Sequence, residues 1–408
     1  MITQTLALLV DAYRELNAKR LFWIVLLLSA LFVGAMASIG INDKGITILQ
    51  WSFENEFMNT KTLTKAAFYK SVVFIPIGFN IWLSWAATIL ALISTASIIP
   101  DFISSGSIEL ALSRPIGRLR LFLTKYATGL LFVTLQVAVF SLGAFLVIGI
   151  RGESWEPRIF MSIPLIVAFF SYLFAFCALV GLITRSTIAS LLVTILLWVA
   201  IFLVHTAEAS VLLGLKERQQ VRIEQLEKSV QVDLPKRIAE QEAKAVKPAE
   251  PASAPSDSSP EAGKAREEFE RAGRLADRAQ ERADRMKQQL VERTKKLEEA
   301  REALPKLEGW HKLFFAVKTL LPKTSETLKL LEREVTSISD LQGLSNNRQQ
   351  SVDLEEGDRE LNIDDRDIAL RVENAMRERS VWWVLGTSLV FEGVILGIAS
   401  WIFVRRDF

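Results

Sequence analysis

The stretch IFMSIPLIVAFFSYLFAFCALVGLITRSTIASLLVTILLWVAIFLV, residues 159–204, carries one charged side chain, Arg185. Two apolar runs, 159–183 and 187–204, flank the short break Thr184-Arg185-Ser186. A run of about 20 apolar residues crosses a bilayer as a helix, because only intrasegment hydrogen bonds satisfy its backbone there. The stretch therefore reads as a tight pair of spanning helices joined on one side of a membrane. Four more runs, 21–40, 71–100, 121–150 and 381–404, complete a set of six, with Pro76 set to kink the second. The expected class is all-α, a polytopic membrane protein.

Of the 408 residues, 50% are hydrophobic and 23% charged, and the two kinds are segregated: residues 206–380 hold most of the charge. A net charge of +2 leaves no basic excess to neutralise a phosphate backbone, so nucleic acid is not an expected partner. One cysteine, Cys177, excludes an intrachain disulfide, and with two histidines no metal site is expected.

Orientation follows from basic residues at the span ends. Arg14, Lys19, Arg20, Arg114, Arg118, Arg120, Lys125, Arg185, Arg405 and Arg406 share one side if both termini are cytoplasmic. Lys44, Lys61, Lys65, Lys70, Arg151 and Arg158 oppose them, so the bias is moderate. The expectation is a multi-pass protein of the cytoplasmic (inner) membrane, with 405–408 as a cytoplasmic tail. Before the first span, Ile2, Leu6, Leu9, Tyr13 and Leu16 form a stripe along 1–20, which suits a helix lying on the membrane surface or packed on protein. An alternative makes the first span a signal peptide cleaved after Ala35-Met36-Ala37.

Between the second and third runs lies IIPDFISSGSIELALSRPIGRLRLFLTKYATG, residues 98–130. Ser104, Ser105 and Ser107 can cap a short helix with Glu109 in its first turn, and Arg114-Pro115 ends it. Gly106, Glu109, Leu112, Ser113, Arg114, Pro115, Ile116, Arg118 and Lys125 fall where the corresponding loop of ABC-2-type transporter permeases has its acidic residue, its Arg/Pro-Ile turn and its basic helix start. The chain thus resembles that family over roughly the residues outside the charged insert. The resemblance implies that loop 101–120 contacts a separate cytoplasmic ATPase, through Gly106, Glu109, Arg114, Pro115 and Arg118. It also implies a second permease half, and ATP with Mg held by the partner and not by this chain. No G-x-x-x-x-G-K-[ST] pattern is present in the sequence, in keeping with a non-catalytic subunit. Read without the family, the same arginines are ordinary anchors on the positive side.

In the insert, Phe269, Ala272, Ala276, Ala279, Ala283, Met286, Leu290 and Leu297 recur at alternating three and four spacing, a heptad seam interrupted by Arg293. About 40 such residues make a solvated helix of roughly 60 Å. Ile223, Leu226, Val230, Leu234 and Ile238 offer a facing stripe, and the Pro- and Ser-rich stretch 247–263 between them reads as a disordered tip. An extracytoplasmic antiparallel coiled-coil hairpin is expected; a parallel pair between two chains is the alternative, and a partner could dock on either. Residues 308–323, with Trp310, Leu313 and Phe314 beside Lys312, Lys318 and Lys323, read as a segment at the outer membrane interface or packed on the hairpin base.

Glu392 falls in the middle of the last run, where a carboxylate is costly unless it has partners. Gly393 and Gly397 after it suggest close packing on a neighbouring helix. A structural hydrogen bond or a substrate role fits Glu392; Asn80, Gln136 and His205 are weaker candidates of the same kind. Two functions compete with transport: an ATPase-driven envelope protein whose coiled coil regulates an external partner, and a passive membrane scaffold.

Overall fold

The computed structural model describes residue 14 and residues 20–54, 59–60, 63–104, 117–246, 260–335, 368, 371–372, 374–375 and 379–406. The expected N-terminal stripe and residues 105–116 of the loop 101–120 lie outside these residues. The chain divides into two units, 1–206 with 315–350 and 377–408, and 207–314 with 351–376. Along it run α1 (Arg20–Ser38), β1 (Ile39–Asn42), β2 (Gly45–Ile48), β3 (Trp51–Glu54), α2 (Lys65–Ile103), α3 (Arg118–Arg151), α4 (Ser162–Thr184), α5 (Thr187–Thr206), α6 (Gly214–Lys228), α7 (Leu234–Lys244), α8 (Pro260–Leu320), α9 (Thr324–Val335) and α10 (Val381–Arg405).

Among the described residues six helices are long and apolar enough to cross a membrane, at the six places the hydropathy indicated. The break between 183 and 187 shows how the sequence sets the fold. Arg185 adopts a left-handed φ of 51°, and its N–H closes α4 on Gly181 O at 2.9 Å. One residue on, Ser186 Oγ accepts from Ala189 N at 3.3 Å and starts α5.

α2 and α4 form the interior of the bundle, each 67% buried over its most apolar window, against 22% for α1 and 17% for α10. Phe74, Phe79, Phe132, Phe140, Phe169 and Phe170 fill the centre. Large apolar side chains stand open on the outside, including Leu31, Ile188, Leu192, Leu196 and Val390. Such a surface suits hydrocarbon and would be untenable in water.

Sequence reading missed a small antiparallel meander, β1-β2-β3, directly after α1. Its signal is Asn42-Asp43-Lys44-Gly45 between alternating residues. Asn42 Oδ1 accepts from Lys44 N and Gly45 N, both at 2.9 Å, and Gly45 takes φ 148°, which disfavours any side chain. Beside the meander, Arg151 Nε donates to Tyr69 Oη at 3.2 Å, and that hydroxyl donates to Ile39 O.

Within the second unit, Gln219 Nε2 donates to Ala300 O, Arg301 pairs with Glu227, Arg293 with Ser229 Oγ, and Lys287 with Glu242. From Glu227 through Ser229 to Glu242 the partners fall from Arg301 through Arg293 to Lys287, so α6 and α7 run antiparallel to α8. Leu226, Leu297 and Ala300 pack together at their contact. Pro235 sits in the first turn of α7, just after the wider winding of Ser229–Asp233, so it interrupts no regular turn. Helix α8 begins at Pro260, inside the stretch 247–263 expected to lack structure, because proline is preset for a first helical turn. Residues 308–320, expected as an interfacial segment, continue α8.

Candidate functional site

Glu392 does not stand alone in α10. Its side chain is 9% exposed, and each carboxyl oxygen meets a hydroxyl: Tyr126 Oη donates to Oε1 at 2.8 Å and Ser171 Oγ to Oε2 at 2.7 Å. Tyr126 comes from α3 and Ser171 from α4, so the carboxyl joins three helices. Both hydroxyls have a second acceptor in reach, Ser171 O for Tyr126 at 2.9 Å and Ala168 O for Ser171 at 2.8 Å. This meets the membrane's demand that a polar group be fully paired inside the bundle.

Packing aims the Tyr126 ring. It stacks on Phe174 with centroids 5.2 Å apart and planes 12° from parallel. Phe174 in turn fits against Gly129, where an added Cβ would lie 2.3 Å from the ring. A glycine one turn along α3 therefore sets the hydroxyl that meets Glu392. Residues near Glu392 in α10 extend the polar face, since Ser388 Oγ accepts from Lys323 N at 2.9 Å. Gly393 and Gly397 are not part of it: nothing lies within 4 Å of a Cβ at either. Among the described residues the close helix contact expected of them is not made, because α10 turns inward the face that carries Ser388 and Glu392. Asn80 is exposed, while Gln136 and His205 are buried in α3 and α5.

At the end of the bundle that carries the 105–116 loop, the last span is tied down. Arg118 Nη1 donates to Val404 O and Arg406 O, both at 3.1 Å, and Arg406 Nη1 donates to Leu182 O at 2.6 Å. These guanidinium groups satisfy carbonyls at the C-termini of α10 and α4, where a helix dipole favours cations. Of the residues the family loop suggested, Arg118 lies here; Gly106, Glu109, Arg114 and Pro115 fall outside the described residues.

At the opposite end, Lys318 is 2% exposed and meets Glu326 at 2.6 Å, and Arg379 meets the same carboxylate. Lys323 lies over the Trp383 ring at 4.4 Å and is fully buried. Both lysines are thus folded into the protein rather than displayed at a surface. In α8 the seam residues Ala276, Ala279, Ala283 and Leu297 are buried, and Phe269, Ala272, Met286 and Leu290 half-buried.

Six helices long and apolar enough to cross a membrane, three of them joined by a buried polar constellation, define a polytopic membrane protein. The model of the ABC-2 family transporter protein matches residues 8–264, and the chain belongs to that family. The match takes in the first five spans and the first arm, α6 and α7, and stops just inside α8. No curated protein and no solved structure matches. The chain is therefore a membrane component of an ABC transporter, from a family whose members work with a cytoplasmic ABC ATPase.

Proposed function

We propose that this chain is the permease subunit of an export complex, in which a separate ATPase engages loop 101–120 and moves the spans to release or extract a substrate. ATP and Mg belong to that partner, a second permease half completes the path, and both termini face the cytoplasm of an inner membrane. The observation that supports this reading is the clasp. The loop leads directly into Arg118, whose guanidinium holds the end of α10, so a push on the loop is delivered to the span that carries Glu392. Gly106, Glu109, Arg114 and Pro115 would form the contact, with Arg118 passing the motion on.

Glu109→Lys tests the contact without touching the clasp. Co-purification with the ATPase and stimulation of its turnover should both fall at least tenfold, while membrane insertion stays at the wild-type level. Unchanged co-purification and transport would refute the contact.

A second reading uses the same span without a substrate path. Just before that span Arg379 pairs with Glu326 of α9, so movement of α10 would be felt there; on this reading the insert is an extracytoplasmic coiled-coil hairpin serving an external partner. Transport that persists after deletion of 215–304 would count against this second role.

A further inference from the structure

Gln136 sits in the middle of α3, 2% exposed, and neither its Oε1 nor its Nε2 has a hydrogen-bond partner. Burying an unpaired amide costs about 1–3 kcal/mol even in soluble proteins, and lipid offers no water to relieve it. The amide borders a cavity of about 10 Å³ between α2, α3 and α4. That is close to the space one water needs. The other walls are Leu83, Ala87, Ala91, Val133, Val137 and Ile166, with Thr88 as the second polar group.

The opposing wall is built in an unusual way. Over Phe68–Ala87 the helix α2 is wound in the wider i→i+5 pattern, with Pro76 inside it. Ser84 Oγ and Thr88 Oγ1 follow that winding, donating to carbonyls five residues back, Phe79 O and Leu83 O, each at 2.9 Å. Because Thr88 spends its proton on Leu83, its oxygen is left as an acceptor. Wide turns recur at functional sites, and this one ends at Ala87, which together with Ala91 of the regular turns that follow lines the cavity beside Gln136.

We propose that this cavity is a binding site for one uncharged hydroxylic group, held between Gln136 and Thr88. The chemistry selects the ligand. Gln136 presents an acceptor and a donor and Thr88 an acceptor, so the occupant must donate twice or once and also accept, as water or an alcohol hydroxyl does. An ammonium or carboxylate is rejected, since the lining residues supply no opposite charge. The source is a water molecule or the hydroxyl of a lipid or transported molecule.

A double-mutant cycle on the full-length protein in detergent reads this through the sign of a melting shift. Ala91→Val fills the cavity. If a hydroxylic group is bound there, filling expels it, strands Gln136 and lowers Tm by several degrees. In a Gln136→Leu background, with no amide to strand, the same filling leaves Tm unchanged or raises it. If Ala91→Val raises Tm in the wild type as much as in Gln136→Leu, the cavity is dry and the proposal is overturned. Equal losses in both backgrounds mean steric strain alone and also overturn it. Exhaustive delipidation separates the sources: a cycle that survives it identifies water, and one that disappears and returns with added lipid identifies a lipid hydroxyl.

Discussion

In the bundle, Glu392, Ser171 and Ser388 are turned inward while Leu196, Ile188 and Val390 face out; in the paired arms, Ala283, Leu226 and Leu297 are turned inward while glutamates, arginines and lysines face out. The two regions are inside-out relative to each other. Each is the arrangement its solvent demands: hydrocarbon accepts apolar surface and rejects unpaired polar groups, and water does the reverse. Their interiors differ in consequence. The bundle is locked by a few buried contacts that depend on one another, Gly129 to Phe174 to Tyr126 to Glu392. The arms are held by a repeat of small, independent ones.

Interdependence predicts that the largest effect comes from the smallest change. Gly129→Ala puts a Cβ 2.3 Å from a Phe174 ring that is 1% exposed and cannot swing into open space. Overpacking of this kind costs about 3 kcal/mol. Thermal unfolding in detergent should show that loss, and Gly129→Ala combined with Tyr126→Phe should lose less than the sum of the two alone, because both disturb one ring stack. Strict additivity would break the linkage between Gly129 and Glu392.

Leu297→Ala is the counterpart in the arms. Leu297 is 5% exposed in a small cluster with Leu226 and Ala300, so truncation costs about 2 kcal/mol. Its loss should be local. Amide exchange should quicken in α6 and in α8 around 297 and leave α3 and α4 at the wild-type rate. Acceleration throughout the bundle would mean the two regions unfold as one.

These contrasts also set what could be read from the sequence. Six spans were legible because hydropathy is a property of runs, and the break at Arg185 is local chemistry. The seam in α8 was legible because a heptad is periodic. Glu392 stood out as a carboxylate in an apolar run, but Tyr126 and Ser171 did not, since a tyrosine and a serine in spans are commonplace and nothing local says which helix they will meet. The meander at 39–54 was overlooked because its strands are four residues each, too short to stand out beside spans five times longer. The wide winding of α2 has only Pro76 as a sign, and a proline foretells a disturbance without saying which.

Charge sharpens the comparison at a smaller scale. Lys323, beside the N-terminal end of α10, is buried; its amine is pushed down to about 8, first by loss of solvent, with Lys318 and Arg379 adding to this and Glu326 opposing it. A lysine that binds its proton less tightly when folded is a liability below that range. Between about 8 and its ordinary 10.5 the unfolded chain holds the proton that the folded one has released, so stability rises with pH over that window. Tm should climb there in the wild type, and that climb should be missing in Lys323→Met. An identical profile in both would place the amine in solvent.

Lys287 in the arms is the opposite case and the smallest effect. Its amine lies 2.7 Å from Glu242 and is raised above its ordinary range, first by that hydrogen bond and then by the charge. Both side chains are nearly half exposed, so water and salt compete for each partner. The sign is also reversed: a raised lysine contributes whatever it has below 10.5 and loses it as pH climbs through its folded value. Exposure makes that contribution vanish into the scatter. Lys287→Ala should leave the urea midpoint of the arms unchanged at physiological salt, and the alkaline decline should be undetectable. A clear loss of stability that grows as salt is removed would mean that the surface pairs, rather than the alanine seam, hold α7 against α8.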